Sequence, residues 1–165
     1  MVGTEMYANR VLAHPGLQCG IGLAGANVIN KYGQDDGILS ALEVSMLDLS
    51  HVELIFLSAC QTAQGSNKNG EGVLGLQRAF HQAGVQSVVA TLWSVPVHET
   101  IELVNLFYGE LWGNSLPRAN ALQSAQVRLI RDAREVTAGK KIAGVRNYQL
   151  HPYYWAGFSI SGSAR

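Results

Sequence analysis

An α/β fold is what this 165-residue chain predicts, and three features of the sequence predict it. Two apolar runs of strand length, over about residues 52–59 and 85–93, are separated by a segment with helical periodicity. Two further helical segments follow. The chain then closes on an aromatic, β-leaning tail. Strand, helix, strand, helices, strand is the order of a chain whose parallel strands are joined by right-handed crossovers.

The first run, Leu54-Ile55-Phe56-Leu57-Ser58-Ala59, is unbroken and rich in large side chains, which fits a strand buried on both faces of a parallel sheet. It delivers Cys60 into a polar loop, Gln61-Thr62-Ala63-Gln64-Gly65, that continues to Asn69 with turn-forming residues. The second run, from Val85 to Trp93, is β-branched and apolar and stops at Ser94 and Pro96. Ahead of the first strand, Ser40 and Glu43 have the spacing of a capping box, in which each side chain satisfies an amide at a helix start. A short helix over about 40–46 is expected.

Between the two strands, residues 71–83 place Val73, Leu76, Phe80 and Ala83 on one helical stripe, which ends at Gly84, a residue suited to a left-handed cap. Over 98–111, Ile101, Val104, Tyr108 and Leu111 recur at helical spacing, and Gly113 and Asn114 end that segment. Ser115 can cap the next helix, with Pro117 in its first turn, where the missing amide does no harm. That helix runs to about 136 with Leu122, Ala125 and Leu129 inward, so the pair makes an antiparallel helical hairpin. A polar connection over 139–144 leads to a last strand over about 154–161. Residues 16–27, broken by four glycines, read as a loop or a weak extended segment. Sheets of this type commonly carry more than three strands, so further strands are expected upstream of Met1.

Composition narrows the function classes. With 47% hydrophobic and 15% charged residues the chain can bury a core as one domain, and disorder is excluded. Twelve basic residues balance twelve acidic ones. The cluster Arg128, Arg131, Arg134, Lys140 and Lys141 is interrupted by Asp132 and Glu135 and reads as a solvated helix face, not a nucleic-acid surface. No apolar run approaches the roughly 18 residues of a membrane span, and residues 1–10 lack the pattern of a secretory signal. Cys19 and Cys60 lie far apart without a CxxC pair, which points to reduced thiols in the cytoplasm. No metal-binding pattern is present. Gly70-Glu71-Gly72-Val73-Leu74-Gly75 matches GxGxxG, but a loop of about nine residues separates it from the strand and the next strand ends without an acidic residue, so no nucleotide cofactor is expected.

The candidate site residues gather at the carboxyl ends of the strands, where such sheets bind ligands. Cys60 there is either a thiol facing a crevice or a small buried hydrophobe. Trp93 and Ser94 end the second strand on the same side, where they line a peptide cleft or, for the indole, serve as core. Glu71 either meets substrate or begins a helix, whose dipole favours a carboxylate there.

Several blocks then agree in order over about residues 21–160: Ile21-Gly22-Leu23-Ala24-Gly25-Ala26-Asn27, Gly37 to Val44, Leu47-Asp48-Leu49-Ser50, Leu57-Ser58-Ala59-Cys60-Gln61-Thr62, Gly70 to Phe80, Ala90 to Val95, and His151 to Phe158. Together they resemble the CHAT domain, a caspase-like cysteine peptidase module often found behind helical TPR repeats in bacteria. The resemblance implies a caspase-like, mostly parallel sheet with helices on both faces, here incomplete at its N-terminal side. It also implies a Cys-His dyad in which Cys60 attacks a peptide carbonyl. A thiolate is the nucleophile, so an imidazole must take the thiol proton, and backbone amides must hold the oxyanion.

The family's histidine stands in a His-Gly pair at the end of the preceding strand. None of the five histidines here, His14, His51, His81, His98 and His151, is followed by glycine, and Pro15 after His14 supplies no amide. His98 falls where family members often carry an acidic residue. Two functions stay open: a cysteine endopeptidase acting on a protein or peptide, whose histidine lies upstream or on another polypeptide, and a degenerate caspase-like module that binds partners without cleaving them. A TPR region or the missing half of the domain is the partner implied in either case.

Overall fold

The structure, a computed structural model, describes residues 15–17, 19–24, 26, 37–58, 71–146, 150–163 and 165. It divides into two compact units, one made of Met1–Ile55 with Gln61–Val88 and the other of Phe56–Cys60 with Val89–Arg165.

In the first unit, β1 (Gly20–Gly22) pairs antiparallel with β2 (Ile38–Ser40), Gly20 opposite Ser40 and Gly22 opposite Ile38. A β-carbon at position 20 would meet the Leu39 carbonyl oxygen at 2.8 Å, so the pair closes only over glycine. Ser40 ends β2 and opens α1 (Ala41–Ser45) through the expected capping box: the Glu43 amide donates to Ser40 Oγ at 3.2 Å and the Ser40 amide to Glu43 Oε2 at 2.8 Å. Helix α2 (Glu71–Gln82) buries Leu76, Ala79 and Phe80. Gly75, the last glycine of the GxGxxG match, lies in this helix facing Cys19, whose Sγ would stand 2.8 Å from a β-carbon there. Packing against a buried thiol accounts for that glycine. Gly84 has φ +103°, and a β-carbon there would stand 2.9 Å from the Ser50 backbone, so it is the left-handed cap that the sequence predicts.

The longer strands, β3 (Leu54–Leu57), β4 (Ser87–Thr91) and β5 (Phe158–Gly162), are ordered β3–β4–β5. Hydrogen bonds at the start of the first pair advance in step, Gln86 N–H to Val52 O and Ser87 N–H to Glu53 O, as strands running the same way require. Between the second pair the numbering runs oppositely, Leu92 N–H to Gly157 O and Ser159 Oγ to Ala90 O, so β5 is antiparallel. β4 is buried along its whole length. β3 is only half-buried at all four residues, not buried on both faces as expected, because it is the edge of the described sheet.

In the second unit, α3 (Val97–Tyr108) runs into a wider π-type turn at Gly109–Gly113, and α4 (Arg118–Thr137) follows. α4 buries Leu122, Ala125 and Leu129 as predicted, along with Ala121 and Ala133. Ser115 takes a left-handed φ of 54° and does not cap the helix, which starts after Pro117 without a side-chain cap. In α3 the stripe that signals the helix is not the buried one. Leu103 and Phe107 go inward with Glu99 and Thr100, while Ile101 stays 55% exposed. Both faces of α3 are apolar, and periodicity alone does not choose between them. Phe56 at the end of β3 sits amid Phe107, Tyr108 and Phe158, with ring centroids 5.7, 6.3 and 6.1 Å away.

No described helix is long and apolar enough to cross a membrane.

Candidate functional site

The carboxyl end of β4 is held by the segment that leads into β5. Beyond Thr91, Leu92 donates its amide to Gly157 O at 2.8 Å, and the Trp93 indole N–H donates to Tyr153 O at 2.8 Å. The Trp93 and Tyr153 rings stack with centroids 6.5 Å apart and planes 19° apart, and Tyr153 returns its hydroxyl to Ser94 O at 2.6 Å. These two polar links and one ring contact fix both Trp93 and Ser94. The Gly157 backbone lies so near the indole that a β-carbon would be 2.9 Å from Cε2 and 3.2 Å from Val95 Cγ2. Tyr153 sits in a short 3-10 turn, Pro152–Tyr154, which His151 caps by accepting the Tyr153 amide on Nδ1 at 3.2 Å. Gln126 of α4 clamps the same segment by donating Nε2 to Trp155 O and Phe158 O, at 3.0 and 3.1 Å.

Beside this strand end lies an apolar pocket of about 480 Å³, lined by Ser58, Val95, Val97, Thr100, Ile101 and Val104, with Asn105 completing the wall. All seven belong to the second unit. Thr100 Oγ1 reaches Val95 O at 3.5 Å, which leaves Ser58 and Asn105 as the other polar side chains on the wall. His98, exposed at the start of α3, has Nδ1 3.9 Å from both Glu99 Oε1 and Glu102 Oε2. Among the described residues, no cluster of three or more His, Cys, Asp or Glu side chains is placed to hold a metal ion.

The family profile of the CHAT domain matches residues 11–163. The chain belongs to the CHAT domain family. Two curated relatives are tetratricopeptide repeat protein 28 of Mus musculus and of Homo sapiens, 33% and 34% identical over 126 residues. Each alignment covers 76% of this chain, and the chain spans about 4% of each relative's length. The association of CHAT domains with tetratricopeptide repeats therefore extends to this match. Both relatives are mammalian, so the bacterial setting of the resemblance gains no support from them. No solved structure matches.

Cys60, the nucleophile that the resemblance implies, lies outside the described residues together with Gln61, Thr62 and His14. Glu71 is the first described residue of α2, and its side chain lies outside the description. Trp93 and Ser94 are brought together with Tyr153 and Gly157. Sequence reasoning did not single out those last two as neighbours of the strand end. They stand within the His151 to Phe158 block that carried part of the resemblance, which was the available signal. His51 precedes β3 and so lies at the strand's other end, and His81 Nδ1 is 3.0 Å from Val85 O.

The buried thiol of Cys19 contrasts with a reactive one. Burial raises its pKa, so it is held protonated at neutral pH.

Proposed function

We propose that the chain contributes Cys60 as the nucleophile of a caspase-like cysteine endopeptidase, with Trp93, Ser94 and Glu71 at the substrate cleft and the base supplied by a histidine outside these 165 residues. The observation that carries this reading is the pinned strand end. Trp93 and Ser94 are held at the carboxyl end of β4, next to the strand whose continuation leads to Cys60. An imidazole takes the thiol proton, the thiolate adds to the substrate carbonyl, and the tetrahedral adduct collapses as the leaving amine receives that proton. Water then adds to the thioester and releases the acid, restoring the thiol. The substrate is a protein or peptide, the partner a tetratricopeptide repeat region of the same or another polypeptide, and the compartment the cytoplasm.

The described histidines favour a base from elsewhere. His81 is engaged with Val85 O, His151 with the Tyr153 amide, and His98 lies beside two glutamates. The same observation supports a second reading, a caspase-like interaction module without peptidase activity.

The test is labelling of the intact natural protein with a peptidyl electrophile, followed by mass-spectrometric mapping. Labelling at Cys60, with peptide cleavage abolished by Cys60→Ala, is the expected result. Cleavage that survives Cys60→Ala overturns the peptidase reading. No cleavage and no labelling of the intact protein leaves the interaction module in its place.

A further inference from the structure

We propose that His151 is a pH-sensitive latch: its neutral imidazole holds Tyr153 against the end of β4, and protonation of the ring releases that hold. The latch works in the same way whether the chain cleaves peptides or only binds partners, because it involves only the strand end and the segment that leads into β5.

Three observations converge on it. The first is the direction of one hydrogen bond. The Tyr153 amide donates to His151 Nδ1 at 3.2 Å, and an amide N–H only donates, so Nδ1 presents its lone pair and the ring is neutral with its proton on Nε2. An imidazolium carries a proton on both nitrogens, which sets donor against donor. Pro152 has no amide hydrogen, so Tyr153 supplies the first N–H that a cap can satisfy in the turn Pro152–Tyr154. The usual caps, aspartate, asparagine, serine and threonine, keep an acceptor throughout the neutral range, whereas histidine changes charge between about pH 5 and 8.

The second observation is what the capped residue carries. Tyr153 makes three links to the end of β4: its carbonyl accepts the Trp93 indole N–H, its hydroxyl donates to Ser94 O, and its ring stacks on the indole. The rest of the segment is tied without the imidazole. The Tyr154 amide donates to His151 O, those of Trp155 and Ala156 to Pro152 O, and Gln126 Nε2 to Trp155 O and Phe158 O. Protonation therefore frees Tyr153 locally and leaves its neighbours in place. Loss of a cap typically shifts the balance against the capped turn by about fivefold.

The third observation is the charge around the ring, which is exposed to solvent protons. The titratable groups on its own segment are the phenols of Tyr153 and Tyr154, while β4 and α4 bring Trp93, Ser94 and Gln126 to it, none of them charged. Among the described residues no carboxylate lies within ion-pair distance of His151 to compensate for the lost cap. His98 is the contrast, since protonation there gains Glu99 and Glu102, each 3.9 Å away. The cap at Tyr153 is thus present above the titration of the imidazole and lost as pH falls through it.

The experiment uses the intact protein with 5-fluorotryptophan in place of tryptophan, the Trp93 line being assigned by its loss in Trp93→Phe. Between about pH 8 and pH 5 that line is expected to move along one titration curve, with the midpoint of the His151 ring as read from carbon-13-labelled histidine. His151→Asn keeps an acceptor at the cap and does not titrate, so its Trp93 line should hold the neutral position throughout, and His151→Ser should do the same if the first variant folds poorly. His151→Ala has no acceptor, and its Trp93 line should lie near the acid position at every pH. His98→Gln should leave the titration unchanged. A Trp93 line that holds still in the natural protein, that moves equally in His151→Asn, that keeps the neutral position in His151→Ala, or that stops titrating in His98→Gln overturns the proposal.

Discussion

A β-carbon on Gly157 would stand 2.9 Å from Cε2 of Trp93, closer than real side chains approach. The indole is held from the other side by its hydrogen bond to Tyr153 O and by the stacked Tyr153 ring, so it has little room to yield. Gly157→Ala should therefore destabilise the protein by about 1–3 kcal/mol, the usual cost of an added methyl in a packed site. The indole N–H resonance of Trp93 should shift, because the ring must leave its partner. An unchanged melt with an unchanged resonance would show that the strand end gives way freely. Under the proposed function the same substitution should also reduce kcat/KM, since Trp93 borders the cleft.

Cys19 and Gly75 make a second close pair, with 2.8 Å from the thiol sulfur to a β-carbon at 75. Gly75→Ala should cost about 1–3 kcal/mol, less whatever alanine gains in helix propensity over glycine. Cys19→Ala removes the obstructing sulfur. In a double-mutant cycle the pair should couple, with the double variant more stable than the sum of the single effects predicts. Strict additivity in urea melts would refute the contact.

The same thiol carries a pH signature. Burial raises its pKa in the folded state above the ordinary value near 9, and no other cause contributes. Its contribution to stability is thus fully present below that ordinary value and is lost as pH rises through the higher folded one. Cys19→Ala should flatten the fall in urea midpoint above about pH 9. An equally steep fall in the variant would assign the alkaline loss to other groups.

What the sequence disclosed depends on the reach of each interaction. The Ser40–Glu43 box spans three residues, and its local hydrogen bonds formed as the spacing predicted. Leu122, Ala125 and Leu129 were legible because the rest of their helix is polar enough to leave one apolar stripe. In α3 two apolar stripes compete, and Ile101 belongs to the exposed one. β1 and β2 are three residues each and pair across a gap in the sequence, too short for any period to register. The bond between Trp93 and Tyr153 spans sixty residues, so nothing near Trp93 announced its partner. Trp93 and Ser94 stood out as candidates because they follow an evident strand, while Cys60 lies outside the described residues.

Asp48 offers a test of local electrostatics in the turn that precedes β3. Its Oδ1 accepts the Ser50 hydroxyl at 2.7 Å and the Ser50 amide at 3.1 Å. Those bonds hold the carboxyl below its ordinary value, the hydroxyl most, the amide next, and the nearby His51 least. A carboxylate with a depressed folded pKa stabilises the fold above its ordinary value, near 3.9, and that contribution is lost as pH falls through the lower folded value. Ser50→Ala removes the strongest cause and keeps the amide, so the Asp48 titration should move upward without reaching the value of an isolated aspartate. Carboxyl chemical shifts followed from about pH 6 to pH 2 give the measurement, the window in which aspartates titrate. If Asp48 titrates at the same pH in both proteins, the hydroxyl bond does not persist in solution and the amide alone sets the shift.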